Sequence, residues 1–264
     1  MPELPEVETI RRGLTPTILD RQVVDAGSHP STKFTPAIEM VGATFTGLDR
    51  RGKYLLFATD LDVELVAHLG MTGSFVPQPG EDTTHLRAWW RFDDGTVLGF
   101  RDIRRFGRLR VVPRGDHASI ATLQHIGPEP LGDEFTPIQF HQALAGSSRA
   151  IKTQLLSQRP VAGLGNIYAD EALWVAGVSP MRRRLGAVRA ARLHDAVVTV
   201  ISQGIENGGT TLRDYRTADG RTGSHQHHLR CYGRGGEPCL RCGRALAVRT
   251  VDARTTTYCV TCQR

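Results

Sequence analysis

Lysine is nearly missing from this basic chain: it stands only at Lys33, Lys53 and Lys152, and arginine supplies the rest of the 33 basic residues. A general drift toward arginine spares lysine where a compact, deprotonatable ammonium is needed. Each of the three therefore invites the question of what it does. Also missing is any apolar run of the ~18 residues that a membrane-spanning helix requires, and any basic segment followed by an apolar leader. These absences predict a cytoplasmic protein with no membrane association. There is no internal repeat or low-complexity tract. Five cysteines in a chain of this kind do not read as a disulfide framework. What is present is ordinary globular composition: 264 residues, 40% hydrophobic and 23% charged, enough for one large domain or two of usual size. The formal net charge of +6 and a sequence pI near 9.4 favour a polyanionic partner.

The chain opens Met1-Pro2-Glu3-Leu4-Pro5-Glu6-Val7-Glu8. Once Met1 is removed, the first residue is a proline with a free secondary amine beside a carboxylate. An α-amino group titrates near pH ~8, so a useful fraction is neutral and nucleophilic at physiological pH without activation by a neighbour. A secondary amine that attacks an aldehyde-level carbon yields an iminium ion. That ion has no N–H proton to lose, and it acts as an electron sink for elimination at the next carbon. The plainer reading is structural: proline suits the first position of a helix, acidic residues suit its first turn, and Val7, Ile10, Leu14 and Ile18 share one face of a helix predicted to run to about Leu19.

Short runs of strand character follow at 22–26, 43–48, 53–59, 63–69, 88–92, 97–101 and 109–112, with a hairpin signal at Asp93-Asp94-Gly95. Many short strands with no helix between them predict an antiparallel sandwich or flattened barrel, with Trp89 and Trp90 on opposite faces. A Pro/Gly/acidic stretch reads as a linker over 127–136. Beyond it the period becomes helical at 137–145, 150–157, 166–176 and 187–206. The predicted organisation is α+β: a sandwich domain with its helix over 1–126, a helical domain over 137–228, and a small unit over 229–264.

That last unit holds Cys239-Leu240-Arg241-Cys242 and, sixteen residues on, Cys259-Val260-Thr261-Cys262. Two C-x2-C knuckles at this separation are the pattern of a four-thiolate zinc site. Four thiolates close the coordination sphere, so the metal is structural. Residues 246–251 and 255–258 alternate like the strands of a hairpin, which places Arg254 at an exposed tip in an arginine-rich patch suited to phosphates. Cys231 is left over and reads as a small buried residue.

Taken in order, PELPEVE at the N-terminus, RRGKYLL, HLGMTGSF at 68–75, DIRRFGRL at 102–109, GLGNIYADEAL at 163–173 and the four-cysteine finger resemble the bacterial formamidopyrimidine-DNA glycosylase family, from end to end of the chain. The resemblance implies a monomeric base-excision repair enzyme that removes oxidised purines such as 8-oxoguanine and formamidopyrimidines from double-stranded DNA. It implies backbone cleavage by β- and δ-elimination at the abasic site that results, on nucleoid DNA. It also implies a fold of β-sandwich plus helix-two-turn-helix plus zinc-finger hairpin, with DNA in the cleft between the two domains.

Carried onto this sequence, the family pattern makes Pro2 the nucleophile at C1′ and Glu3 the adjacent acid/base on the sugar ring oxygen, with Glu6 supporting the terminus. Lys53 becomes a lesion-contacting residue with a proton-transfer role, and Arg254 holds phosphates and is tied to δ-elimination. A base inside a duplex is reachable only after eversion, and Met71, Arg104 and Phe106 match the three side chains that fill the void left behind. Outside those loops, Met71 and Phe106 would read as core, and Lys53 as a solvated strand end. Lys152 and Asn166 are the expected backbone-phosphate contacts, with His85 and Arg149 beside them; Asn166 also suits a helix N-cap.

One stretch departs from the family. Thr222-Gly223-Ser224-His225-Gln226-His227-His228 replaces a basic, proline-glycine and aromatic run. It reads as a solvated polar loop, with a second metal site as the sharper alternative. Two other functions fit less of the pattern: an endonuclease VIII-like enzyme for oxidised pyrimidines, whose terminus carries glycine where this chain has Leu4, and a non-catalytic binder of damaged DNA, which has no use for Pro2, Glu3 and Lys53 together.

Overall fold

The computed structural model describes every residue of the chain except Glu81 and Asp214. It divides into two compact units, Met1–Gln124 with Asn207–Ser224, and His125–Glu206 with His225–Arg264.

The first unit begins with α1 (Leu4–Ile18), followed by β1 (Arg21–Ser28), β2 (Thr44–Arg51), β3 (Tyr54–Thr59), β4 (Val63–His68), β5 (Gly73–Pro77), β6 (Leu86–Phe92), β7 (Val97–Asp102) and β8 (Arg108–Pro113). Strand order is β5-β7-β6-β1-β2-β3-β4-β8, all neighbours antiparallel. The sheet folds over at β1, which pairs with β2 only through Arg21 and Gln22 and then with β6 from Val23 to Ser28, with a bulge between Val23 and Asp25. A bulge of this kind bends a strand and sharpens its twist, so one strand serves both halves of a sandwich. The halves meet through aromatics: Phe57 of β3 lies 5.4 Å from Phe75 of β5, and Phe75 lies 5.1 Å from Phe100 of β7. Trp90 is fully buried and donates its indole N–H to the Ala37 carbonyl at 3.0 Å. Trp89 faces the other way under the Arg91 guanidinium.

Helix α1 closes the sandwich with Val7, Ile10, Leu14 and Ile18, all essentially without solvent exposure. Its N-cap is Glu3, and Pro5 occupies the early helical position, so Pro2 lies outside the helix and does not start it. The buried Glu8 pairs along the helix with Arg11 at 2.9 Å and Arg12 at 2.8 Å, and ties the helix to β2 through Arg50 at 3.1 Å. Burial alone would raise the Glu8 carboxyl, but these three guanidiniums outweigh it and hold it down to about 2.

The expected helical domain over 137–228 is interrupted: residues 207–224 pack with the first unit. The cause is local to α1. The Glu6 carboxylate accepts the Thr210 N–H at 2.7 Å, and Ala218 touches the helix where Gly13 leaves room. Gly209, at φ +81, sits where a Cβ would lie 2.9 Å from the Glu6 side chain.

A short α2 (Ala121–Gln124) ends the first segment of the first unit. The second unit contains α3 (Pro137–Ala145), α4 (Ile151–Leu156), α5 (Asn166–Ala176) and α6 (Ala187–Glu206), and ends in the hairpin of β9 (Ala247–Val251) and β10 (Arg254–Tyr258). Helix α5 is buried along most of its length, ends at Gly177 in the left-handed region (φ +67), and packs on α6. The hairpin turns through Asp252 and Ala253, both at positive φ. Among the described residues no helix is long and apolar enough to cross a membrane.

Candidate functional site

In the first unit the N-terminus is held from behind. The Glu3 N–H donates to Glu6 Oε2 at 2.8 Å while Glu6 Oε1 takes the Thr210 N–H, so one carboxylate fixes both the helix cap and the loop that covers it. Pro2 is buried and Glu3 is 3% exposed, whereas Met1 is 51% exposed. Lys53 follows Gly52 in the β2–β3 turn, 8% exposed, and that turn is anchored by Arg50, which donates to the Gly52 carbonyl at 3.1 Å and pairs with Glu8. His68 stacks against Tyr54 at 4.7 Å and accepts the Gly70 N–H on Nδ1 at 3.1 Å. Burial, together with the nearby charges of Lys53 and Arg108, pushes its imidazole down to about 4, so it is neutral at physiological pH.

Met71, Arg104 and Phe106 are brought together on two adjoining loops. Met71 is 40% and Phe106 47% exposed. The Arg104 guanidinium lies 4.9 Å over the Phe106 ring. Arg105 instead takes a left-handed conformation (φ +55), and its carbonyl is bound by Lys33 Nζ at 2.9 Å. The loops touch because position 70 is glycine: at φ +63, a Cβ there would lie 2.4 Å from the Phe106 carbonyl carbon. His85 is exposed at φ +64, and its carbonyl accepts the Asp102 N–H at 3.0 Å.

In the second unit Arg254 is exposed at the start of β10, and Arg149 is exposed and paired with Asp252 of the turn at 3.1 Å. Asn166 is the first residue of α5 and not its cap, which is Gly165; its amide donates to the Thr255 carbonyl at 2.9 Å. Lys152 departs from expectation. It has no solvent exposure, and its ammonium sits 2.7 Å from Asp170 Oδ1 while donating to Thr256 Oγ1 at 2.8 Å and the Thr255 carbonyl at 3.2 Å. A charge so enclosed is a structural tie from α4 to β10 and not a phosphate contact.

Two residues that sequence reasoning missed complete this tie. Asp170 Oδ2 accepts the Thr257 N–H at 3.0 Å, and the neighbouring Glu171 carboxylate accepts three backbone N–H groups, from Arg230, Cys231 and Tyr232, at 2.7–2.9 Å. Burial raises both carboxyls, Asp170 to about 6. Adjacent acids inside the otherwise apolar run of α5 were the available signal.

The sulfurs of Cys239, Cys242, Cys259 and Cys262 all lie within 4.8 Å of one another, the single such cluster of metal-binding side chains among the described residues. Tetrahedral Zn–S bonds of ~2.3 Å put sulfurs ~3.8 Å apart, so the donor set and spacing fit one structural zinc ion. Cys231 is not one of the four; it is buried against Cys239 and Cys259 and donates its thiol to the Thr257 carbonyl. The histidine-rich stretch is not simply a solvated loop: His225–His228 forms a short 3-10 turn in which His225 is 3% exposed and stacks on Tyr168 at 5.5 Å. His227 and His228 remain exposed.

Family models match three consecutive stretches: the formamidopyrimidine-DNA glycosylase N-terminal domain over residues 1–109, the H2TH domain of the same enzymes over 126–216, and a zinc finger found in FPG and IleRS over 236–264. A formamidopyrimidine-DNA glycosylase of Thermus thermophilus is 46% identical over 100% of this chain and 98% of its own. The chain belongs to the formamidopyrimidine-DNA glycosylase family. A Deinococcus radiodurans member is 42% identical over 100% of this chain and 97% of its own. Among solved structures, the Thermus thermophilus family member superposes with a TM-score of 0.93 over 99% of this chain and 98% of that one. A Lactococcus lactis FPG mutant in complex with a Fapy-dG containing DNA gives 0.92 at 33% identity, with both chains covered fully. Family membership accounts for the α+β architecture, with its antiparallel sandwich, H2TH helices and four-cysteine finger.

Proposed function

We infer that the protein is a bifunctional DNA glycosylase and abasic-site lyase of base-excision repair that excises oxidised purines, 8-oxoguanine and formamidopyrimidines, from duplex DNA. Its full-length likeness to Lactococcus lactis FPG proteins seen with Fapy-dG and abasic-site DNA supports that substrate class. The observation that carries the mechanism is the position of Pro2. It lies outside α1, whose cap is Glu3 and whose early proline is Pro5, so the helix has no need of it. The Glu6 carboxylate meanwhile ties the Glu3 main chain, next to Pro2, to the Thr210 loop.

After removal of the exposed Met1, the Pro2 nitrogen attacks C1′ of the everted nucleotide and the C1′–base bond breaks, the electron pair leaving with the base, which is protonated. Glu3 delivers a proton to the ring oxygen as the sugar opens, leaving the iminium. Loss of a C2′ proton then expels the 3′ phosphate, and a second elimination expels the 5′ phosphate. Lys53 serves proton transfer and lesion contact, and Arg254 holds the phosphates. Met71, Arg104 and Phe106 fill the space the base vacates, Arg104 facing the orphaned cytosine. Arg149, Asn166 and His85 contribute backbone contacts. The zinc fixes the hairpin that presents Arg254 and takes no part in bond breaking. Such an enzyme works as a monomer on nucleoid DNA in the cytoplasm.

The test is nicking of otherwise identical duplexes carrying 8-oxoguanine opposite cytosine or thymine glycol. The protein cuts the first in preference to the second. Pro2→Gly and Glu3→Gln lose nicking while keeping affinity for the lesion duplex. Nicking that survives both substitutions would remove Pro2 and Glu3 from the mechanism.

A further inference from the structure

The three side chains at the tips of the two loops depend on a buried pair that has no part in the chemistry above. Thr72 is 8% exposed and Asp102 is fully buried. The Thr72 hydroxyl donates to Asp102 Oδ1 at 2.6 Å and at the same time accepts the Arg104 N–H at 3.0 Å. The other Asp102 oxygen accepts the Gly107 N–H at 2.7 Å. Asp102 is held in turn through its main chain: Arg87 Nε donates to its carbonyl at 2.8 Å, and its N–H reaches the His85 carbonyl. Thr72 adjoins Met71, and Arg104 and Gly107 bracket Phe106. From outside, Lys33 Nζ binds the Arg105 carbonyl, and the Leu109 N–H donates to the Lys33 carbonyl at 2.8 Å.

We propose that Thr72 and Asp102 are positioning residues for base eversion: their hydrogen-bonded clasp joins the Met71 turn and the 102–108 loop into one preorganised wedge, with Lys33 as its outer tether. Three exposed side chains on independent loops would each lose conformational freedom on entering a duplex, and that loss subtracts from the energy available to replace the stacking and pairing of the departing base. With the loops already joined, most of this ordering is complete before DNA arrives. A hydroxyl is needed at position 72 because one group must donate to a carboxylate and accept from an amide at once. The proposal rests on the glycosylase reading and adds to it the device that holds its void-filling residues in register.

The experiment compares single-turnover excision of 8-oxoguanine opposite cytosine with cleavage of a duplex carrying a preformed abasic site, using full-length, zinc-loaded protein. Thr72→Val keeps the shape of the side chain and deletes both hydrogen bonds, taking the Thr72 partner from Asp102 Oδ1 and from the Arg104 N–H while the Gly107 bond to Oδ2 remains. Excision should fall about ten- to a hundredfold, whereas abasic cleavage should fall less than about threefold because no base has to leave the stack. Thr72→Ser, which keeps the hydroxyl, should restore the ratio of the two rates. Lys33→Met, at a half-buried position where only one surface hydrogen bond is lost, should shift the ratio the same way by about two- to fivefold. Equal losses on both duplexes, failure of serine to restore the ratio, or an unchanged ratio in Lys33→Met would overturn the proposal. If Thr72→Val does not fold, Thr72→Ser and Lys33→Met decide it. Failure of the glycosylase reading itself looks different: the unsubstituted protein would then process neither duplex.

Discussion

Replacing Lys152 with methionine separates two roles that a lysine at a helix start can have. The side chain is wholly buried, 2.7 Å from Asp170, and also binds Thr255 and Thr256 of the finger strand. Lys152→Met preserves the stem and removes the ammonium, leaving a buried carboxylate uncompensated, a change that costs about 3–5 kcal/mol. The loss depends on pH in a defined direction. Asp170 is pushed by burial up to about 6 even with Lys152 beside it, against about 3.9 in an unfolded chain. Between those values the folded state binds the extra proton, so stability falls as pH rises through the window. Without the ammonium the folded carboxyl climbs further, and the window extends toward neutrality at about 1.4 kcal/mol per pH unit. The variant should therefore be nearly tolerated at about pH 5 and lose most at about pH 8, and Lys152→Met with Asp170→Leu should recover much of the loss. Urea unfolding at several pH values, with zinc release to a colorimetric chelator as reporter for the second unit, measures this. A loss below about 1 kcal/mol at pH 8, combined with weaker DNA binding and a shallower salt dependence, would refute the reasoning and make Lys152 a phosphate contact after all.

Other outcomes follow from the same geometry. Chelating the zinc should free Cys239, Cys242, Cys259 and Cys262 to thiol reagents and abolish lesion binding while leaving the near-ultraviolet signal of the Trp90 core intact; tight binding by metal-free protein would contradict the role given to Arg254. His225 is pushed down to about 4, first by burial and then by His228 and Arg230. Its stabilising contribution should be lost as pH falls from about 6.5 to about 4, by about 3 kcal/mol at most, and His225→Phe, which keeps the stack on Tyr168, should flatten that limb of the stability profile. Pro2→Gly and Glu3→Gln should each abolish nicking without unfolding α1, whose capping box joins the Glu3 N–H to the Glu6 carboxylate and the Glu6 N–H to the Glu3 side chain, where a glutamine oxygen still accepts; circular dichroism and gel nicking assays report the two halves of that statement.

What the sequence made legible was whatever is encoded locally. The 3.6-residue period marked α3, α4, α5 and α6, the alternation marked seven of the sandwich strands, and the cysteine spacing marked the metal site. Strand β5 escaped because Gly73-Ser74-Phe75-Val76-Pro77 is short, contains both breakers and lies at the sheet edge, where proline is tolerated. The remaining differences are non-local. Nothing near Lys152 announces that Asp170 will meet it, nothing near Thr210 announces Glu6, and His225 looks solvated until Tyr168 is brought beneath it. Pro2 is the reverse case: its own neighbourhood fits a helix start, and only the observed cap at Glu3 removes that explanation. Met71, Arg104 and Phe106 were legible through the family motifs alone, since isolated apolar residues carry no sign that a fold will leave them exposed.

The central claim is that the amine of Pro2 forms a covalent bond to the damaged nucleotide. Borohydride reduction during turnover of a duplex with 8-oxoguanine opposite cytosine, followed by digestion and mass spectrometry, tests it directly. The account predicts one protein–DNA adduct, on a peptide that begins at Pro2 and lacks Met1, and none from protein in which Met1 is retained. An adduct mapped to Lys53, or none at all from processed protein that still cuts the duplex, would contradict it.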